Sequence, residues 1–132
     1  MNAVPASPAL RAVSTFDLVV TAILAVPGLS HGFVALVSYL GVVTGLAAPI
    51  EPFSSFAMFL VNLAGVLGVC WNLAILRTRA DLLIRYNIIA RWAVAALIVY
   101  YVLAQGMSPV VLLFVISEIG GSLVEMRARR AR

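Results

Sequence analysis

Long stretches with no charge alternate with short stretches that hold nearly every arginine, and this spacing governs what the chain can fold into. Phe53 to Leu76 contains neither proline nor charge. At 1.5 Å per residue such a run exceeds a hydrocarbon core of about 30 Å. Other apolar runs, whose only charges are Asp17, Arg91, Glu118 and Glu125, cover Phe16 to Tyr39, about Ile88 to Ala104, and Val110 to Met126. With 64% hydrophobic and 11% charged residues, against about 45–50% and 25% in soluble domains, the chain lacks the polar surface to stay dissolved. The excess must face lipid. The expected fold class is all-α, a four-helix transmembrane bundle of up-down topology. Its helices are expected near 16–39, 53–76, 86–105 and 109–126, after a leader over 1–15 and before a basic tail over 127–132.

Charge placement gives the orientation. All nine basic residues are arginines, and eight form two clusters: Arg77, Arg79, Arg85 and Arg91, then Arg127, Arg129, Arg130 and Arg132. The intervening loops, 40–52 and 105–109, contain no Lys or Arg. The positive-inside rule then puts both termini in the cytoplasm, most simply of a bacterial inner membrane. Residues 40–52 read as a loop or an interfacial segment, with Gly41, Gly45, Pro49 and Pro52 as breakers. The net charge of +4 suits anionic lipid headgroups at the arginine clusters, and its membrane-flanking placement argues against nucleic acid. A cleaved signal peptide is the rival reading of the first run, which is too long for an h-region and lacks a well-placed cleavage site.

Few chemistries remain. A single histidine and a single cysteine, Cys70, exclude a bis-histidine haem, an intrachain disulfide and a thiolate metal site. No cofactor or metal is expected. No phosphate-binding loop, dinucleotide fingerprint or zinc-protease motif is present, and no nucleophile–base pair suggests an enzyme.

Polar groups within a bilayer are costly and usually face the bundle interior. Glu118 lies nine residues from both Pro109 and Arg127, which places it near the midplane, with Gly121, Ser122 and Glu125 on its face. Helical spacing predicts three layers. Asp17, Asn72, Arg91 and Glu125 form a cytoplasmic-end cluster, Asn62 and Glu118 a middle pair, and His31 and Gln105 an outer pair. On this reading Glu118 is a protonatable centre hydrogen-bonded to Asn62, with His31 as an outer relay. The bland alternative is that these groups only hold helices together, with Arg91 in a structural ion pair to Glu125 or Asp17. Gly28 and Gly32, Gly65 and Gly68, and Gly121 with Ser117 read as helix-packing positions, within one chain or between chains.

The stretch Phe59-Leu60-Val61-Asn62-Leu63-Ala64-Gly65 resembles the Val-Asn-x-x-Gly segment in the second helix of the small four-helix fluoride channels. The likeness covers seven residues. That family's arginine-bearing glycine motif in the first helix is absent, as is its glycine-threonine-phenylalanine segment in the third, where this chain has Ala93-Val94-Ala95-Ala96-Leu97. No pore or ion site is carried over, and no family is assigned. Two function classes follow from the residues. One is a proton- or small-solute carrier or channel, homo-oligomeric, with Glu118 as coupling group. The other is a non-catalytic accessory or assembly subunit of a larger membrane complex.

Overall fold

The computed structural model describes residue 4 and residues 7–131. Residues 1–3, 5 and 6 of the expected leader, and Arg132 of the expected tail, lie outside the described residues. The fold is all-helical: α1 (Pro8–Ala25), α2 (Leu29–Val43), α3 (Ser55–Thr78), α4 (Asp81–Gln105), and α5 (Leu112–Arg130), which follows a single 3₁₀ turn, Pro109–Val111. Four helices are long and apolar enough to cross a membrane: α1, α3, α4, and α5 with its preceding turn.

The first helix starts earlier than the hydrophobic run suggests. Ser7 caps it, its Oγ accepting from Leu10 N at 3.1 Å, and Pro8 occupies the first turn. A side-chain acceptor satisfies an orphan amide there, and proline has none to lose. Residues 8–15, read from sequence as leader, are therefore the first two turns of α1.

The expected helix over 16–39 is split. Pro27 forces the residue before it out of the helical region, and Val26 is extended at φ −100°, ψ 117°. Gly28 follows at φ 91°, which a side chain would disfavour, and α2 starts at Leu29. The break frees the Leu24 carbonyl. Asn62 of α3 satisfies it, its Nδ2 donating to Leu24 O at 2.7 Å and to Ser30 Oγ at 2.8 Å. One amide thus bridges the last turn of α1 and the first turn of α2.

The break also changes the partner of the first span. Below it α1 packs antiparallel on α3 at backbone distance: a Cβ on Gly65 would lie 2.3 Å from Ala25 N, and one on Gly68 2.5 Å from Thr21 Cγ2. Beyond it, α2 packs on the 3₁₀ turn that precedes α5 while keeping some contact with α3. Phe33 meets Phe114 with ring centroids 6.1 Å apart, and Gly41 seats against Val110. The loop after α2 folds back, and Ile50 N donates to Ser38 Oγ at 2.9 Å.

α4 packs against α5, and the two helix pairs meet at the arginine-rich end. There Val4 N donates to Arg79 O at 2.8 Å, and Arg129 pairs with Asp81 at 2.7 Å. Val4, Leu10, Ile75, Ile84 and Ala128 form the apolar cluster beneath. Between the helix ends the outward faces are largely apolar: Leu103, Phe56 and Ile116 are 80%, 70% and 69% exposed. That surface belongs in lipid or against another protein.

Gly65→Ala is expected to lower stability by about 1–3 kcal/mol, because backbone atoms rather than a movable side chain block the new methyl. Gly120→Ala, where a Cβ meets nothing within 4 Å, should change it by less than about 0.5 kcal/mol. Asn62→Leu should cost about 1–3 kcal/mol by orphaning the Leu24 carbonyl. Reversible unfolding in mixed micelles measures all three.

Candidate functional site

One guanidinium collects three carboxyl groups. Arg91 of α4 lies ten residues into its helix, and its side chain is only 6% exposed. Its Nη2 pairs with Asp17 Oδ2 of α1. Its Nη1 donates to Glu118 Oε2 at 3.0 Å, and its Nε to Glu125 Oε1 at 3.2 Å, both on α5. A planar fork of fixed donors reaches three acceptors from two other helices, which the single point charge of a lysine does not.

The sequence leaves room for this fork. Gly121 lies between Glu118 and Glu125 on α5, facing Arg91, and a Cβ there would stand 2.6 Å from both Cζ and Nη1. Glycine at this position creates the slot that the guanidinium fills. Around it, Asn87, one turn before Arg91, donates from Nδ2 to Glu125 Oε1 at 2.7 Å. Trp71 Nε1 donates to Asn87 Oδ1 at 2.8 Å and so links α3 to the cluster. Ser122 is fully buried and returns its hydroxyl to Ile119 O.

The three carboxyls differ in their surroundings. Glu125 has a side chain 1% exposed, and its Oε2 has no hydrogen-bond partner. The Glu118 and Asp17 side chains are 24% and 19% exposed. Fully ionised, three carboxylates and one guanidinium sum to −2. No other charged side chain occurs in α3 before Arg77 or in α4 after Arg91.

Placement regroups the expected layers. Asp17, Arg91 and Glu125 meet as one cluster, and the reach of Arg91 draws Glu118 into it. Asn72 is buried but donates locally to Gly68 O at 3.0 Å. The expected Glu118–Asn62 hydrogen bond is not formed, because Asn62 is committed to the helix break and Glu118 to Arg91. His31 is exposed and lines an outer cleft of about 460 Å³ with Ser38, Tyr39 and Glu51. Gln105 is exposed and donates to Tyr100 Oη at 3.1 Å. Between this outer end and Glu118 stand the rings of Phe33 and Phe114, so polar groups do not stack through the bundle.

The glycines divide in the same way. Gly65, Gly68 and Gly121 pack within the chain, whereas Gly28 and Gly32 have nothing within 4 Å. Asn87 was missed by the sequence reading, although its i−4 spacing from Arg91 puts it on the same helix face. Among the described residues no group of three or more His, Cys, Asp or Glu side chains is arranged to hold a metal ion.

No protein-family model matches the sequence, and no curated protein or solved structure matches it. The chemistry of the site therefore rests on its own geometry.

Removing Arg91 would strand three carboxyls around an apolar gap. Arg91→Met is expected to destabilise the chain by about 3–5 kcal/mol at neutral pH. Protonation of the stranded carboxylates removes their charge, so the deficit should shrink as pH falls. Chemical unfolding of both proteins at pH 7 and pH 4.5 tests this; a deficit that is constant with pH would sink the charge account.

Proposed function

We propose that the protein is a small integral membrane carrier that couples solute movement to protons, with Glu118 as the coupling group. The observation that carries this reading is the convergence of three carboxyls on one guanidinium within helices of membrane-spanning length. Ionisable groups at that depth are expensive to keep unless they are used. Structural adhesion alone requires one carboxylate for one arginine. This cluster holds two more.

Glu118 is favoured over Glu125 because its side chain is partly exposed, and over Asp17 because it is the more exposed of the two Arg91 partners. A proton arriving on Glu118 cancels the charge that holds Arg91 to it. Loss of that contact removes one of the Arg91 links from α4 to α5 and frees the guanidinium toward Asp17, the kind of local charge change that biases a two-state element. The first span supplies a hinge: α1 is clamped to α3, while α2 hangs beyond the break at Val26–Gly28. Broken spans of this kind place unwound backbone next to transported ions in known transporter folds. The apolar Phe33–Phe114 contact on the outer side of Glu118 fits a gated carrier better than an open channel.

The arginine-rich end is read as cytoplasmic, with both termini there, and Arg77, Arg85, Arg127 and Arg130 are exposed to meet anionic headgroups. A bacterial inner membrane is the simplest setting. A second reading, an accessory subunit of a larger complex or a homo-oligomer, has one specific support. Gly28 and Gly32 offer an open small-residue face beside exposed Leu29 and Leu36. Gly32→Leu tests that reading without disturbing internal packing, whereas leucine at Gly65 or Gly121 would damage the fold itself.

The test uses the full chain in liposomes on a solid-supported membrane. Alkali cations, ammonium, guanidinium, halides and amino acids are presented one by one under an imposed pH gradient. The expected outcome is a pH-gradient-dependent current with at least one solute, reduced at least tenfold in Glu118→Gln while folding is unchanged. Wild-type protein giving no current with any of them, together with loss of an assembly in Gly32→Leu, would move the assignment to the accessory subunit.

A further inference from the structure

The charge count of the Arg91 cluster and the one unpartnered oxygen inside it go further than a single coupling carboxyl. We propose that the cluster is a two-proton site, in which Glu125 holds one proton on Oε2 and Glu118 and Asp17 share the other. This rests on reading the cluster as the proton-coupling site, and its test reads protonation directly rather than transport.

The two Glu125 oxygens have opposite surroundings. Oε1 accepts from Asn87 Nδ2 at 2.7 Å and from Arg91 Nε at 3.2 Å, as a carbonyl oxygen would. Oε2 is buried with no donor near it, on a residue with no exposed surface. A carboxylate shares its charge equally between its oxygens, so an ionised Glu125 would leave a half-charged oxygen buried without a hydrogen bond, offset only by the Arg91 charge that Asp17 and Glu118 also draw on. A neutral carboxyl with its hydrogen on Oε2 leaves one hydrogen bond unmade, a far smaller penalty. The asymmetry of the donors selects the protonated form.

The remaining groups around Glu125 leave no other counter-charge. From α4 it faces Arg91 and the neutral Asn87; from α1 the nearest ionisable group is Asp17; on its own helix Glu118 lies one side and Arg127 the other. Arg127 is exposed, and Arg129 is engaged by Asp81. Across the cluster α3 presents Trp71 through Asn87 and no charge. With Glu125 neutral, Arg91 balances one of the two other carboxylates, and a second proton neutralises the last. The Arg91 fork holds Asp17 and Glu118 on adjacent nitrogens, Nη2 and Nη1, so that proton can reside on either.

The arrangement has a direction. Arg91 faces Gly121 on α5, with Glu118 three residues to one side and Glu125 four to the other. The guanidinium stands between the two proton positions. A proton crossing from one to the other meets a fixed positive charge, which opposes direct exchange between them.

Isotope-edited infrared spectroscopy of the full chain in phospholipid bilayers tests this. The chain has three glutamates, so in a Glu51→Gln background a carboxyl-¹³C glutamate label reports only Glu118 and Glu125. At pH 7 we expect a ¹³C-shifted band of protonated glutamate that loses at least half its intensity in Glu125→Gln. Hydrogen–deuterium exchange on the unsubstituted chain gives a second readout that needs no Glu125 variant. The buried Glu125 proton should exchange at least tenfold more slowly than the partly exposed Glu118 and Asp17 carboxyls. A spectrum with no protonated glutamate at pH 7, or a band that Glu118→Gln abolishes and Glu125→Gln leaves intact, would overturn the proposal. A single fast-exchanging carboxyl population would overturn it as well. If Glu118→Gln still abolishes the solute current in such a case, the carrier reading survives and only the second proton is lost.

Discussion

The guanidinium of Arg91 is the point on which the bundle depends. α1 is joined tightly to α3, and α4 to α5, whereas the two pairs share far less backbone contact, through α1 with α5 and, at the outer end, α2 with the 3₁₀ turn. In lipid no hydrophobic force drives two apolar helix pairs together, because lipid tails are as good a surrounding as leucine. What holds them is polar. Arg91 reaches from α4 to Asp17 of α1 and to both glutamates of α5, and the Trp71–Asn87–Glu125 chain ties in α3. The same low dielectric that makes these charges costly makes their mutual attraction strong.

The presence of four spanning helices was legible because the bilayer imposes a crude requirement, a length of predominantly apolar chain, that single residues display openly. Four helices of spanning length are present. The ends of those helices were less legible. The start of α1 is set by the Ser7–Pro8 cap rather than by where hydrophobicity begins. Pro27 was visible as a perturbation, but whether a proline kinks a helix or ends it depends on whether another element takes up the freed carbonyl. Here Asn62, 38 residues away, does so. That contact is tertiary, and no local pattern around Pro27 encodes it.

The site shows a similar division. Depth and face identified the polar residues, and spacing along α5 put Glu118, Gly121 and Glu125 on one stripe. Layering by depth failed to join Glu118 to Arg91, because an arginine side chain reaches several ångströms along the bundle axis. Depth counted at Cα atoms does not include that reach. Asn62 was paired with Glu118 for equal depth, whereas the break in the neighbouring span claims it. His31 and Gln105 share an outer position and no common partner: His31 faces the outer cleft, and Gln105 is taken up by Tyr100.

The order in which the arginine's partners occur along the chain also bears on how the protein is made. Synthesis delivers the N-terminal span first, so Asp17 is in the membrane before Arg91 is made, and Glu118 and Glu125 follow after it. A lone arginine in a nascent third span would be poorly tolerated. Asp17 gives it a waiting partner, and the tight seating of α1 on α3 holds that carboxylate in place until the last helix arrives. The carboxyl on the first span is thus the one partner of Arg91 already synthesised when the arginine is made.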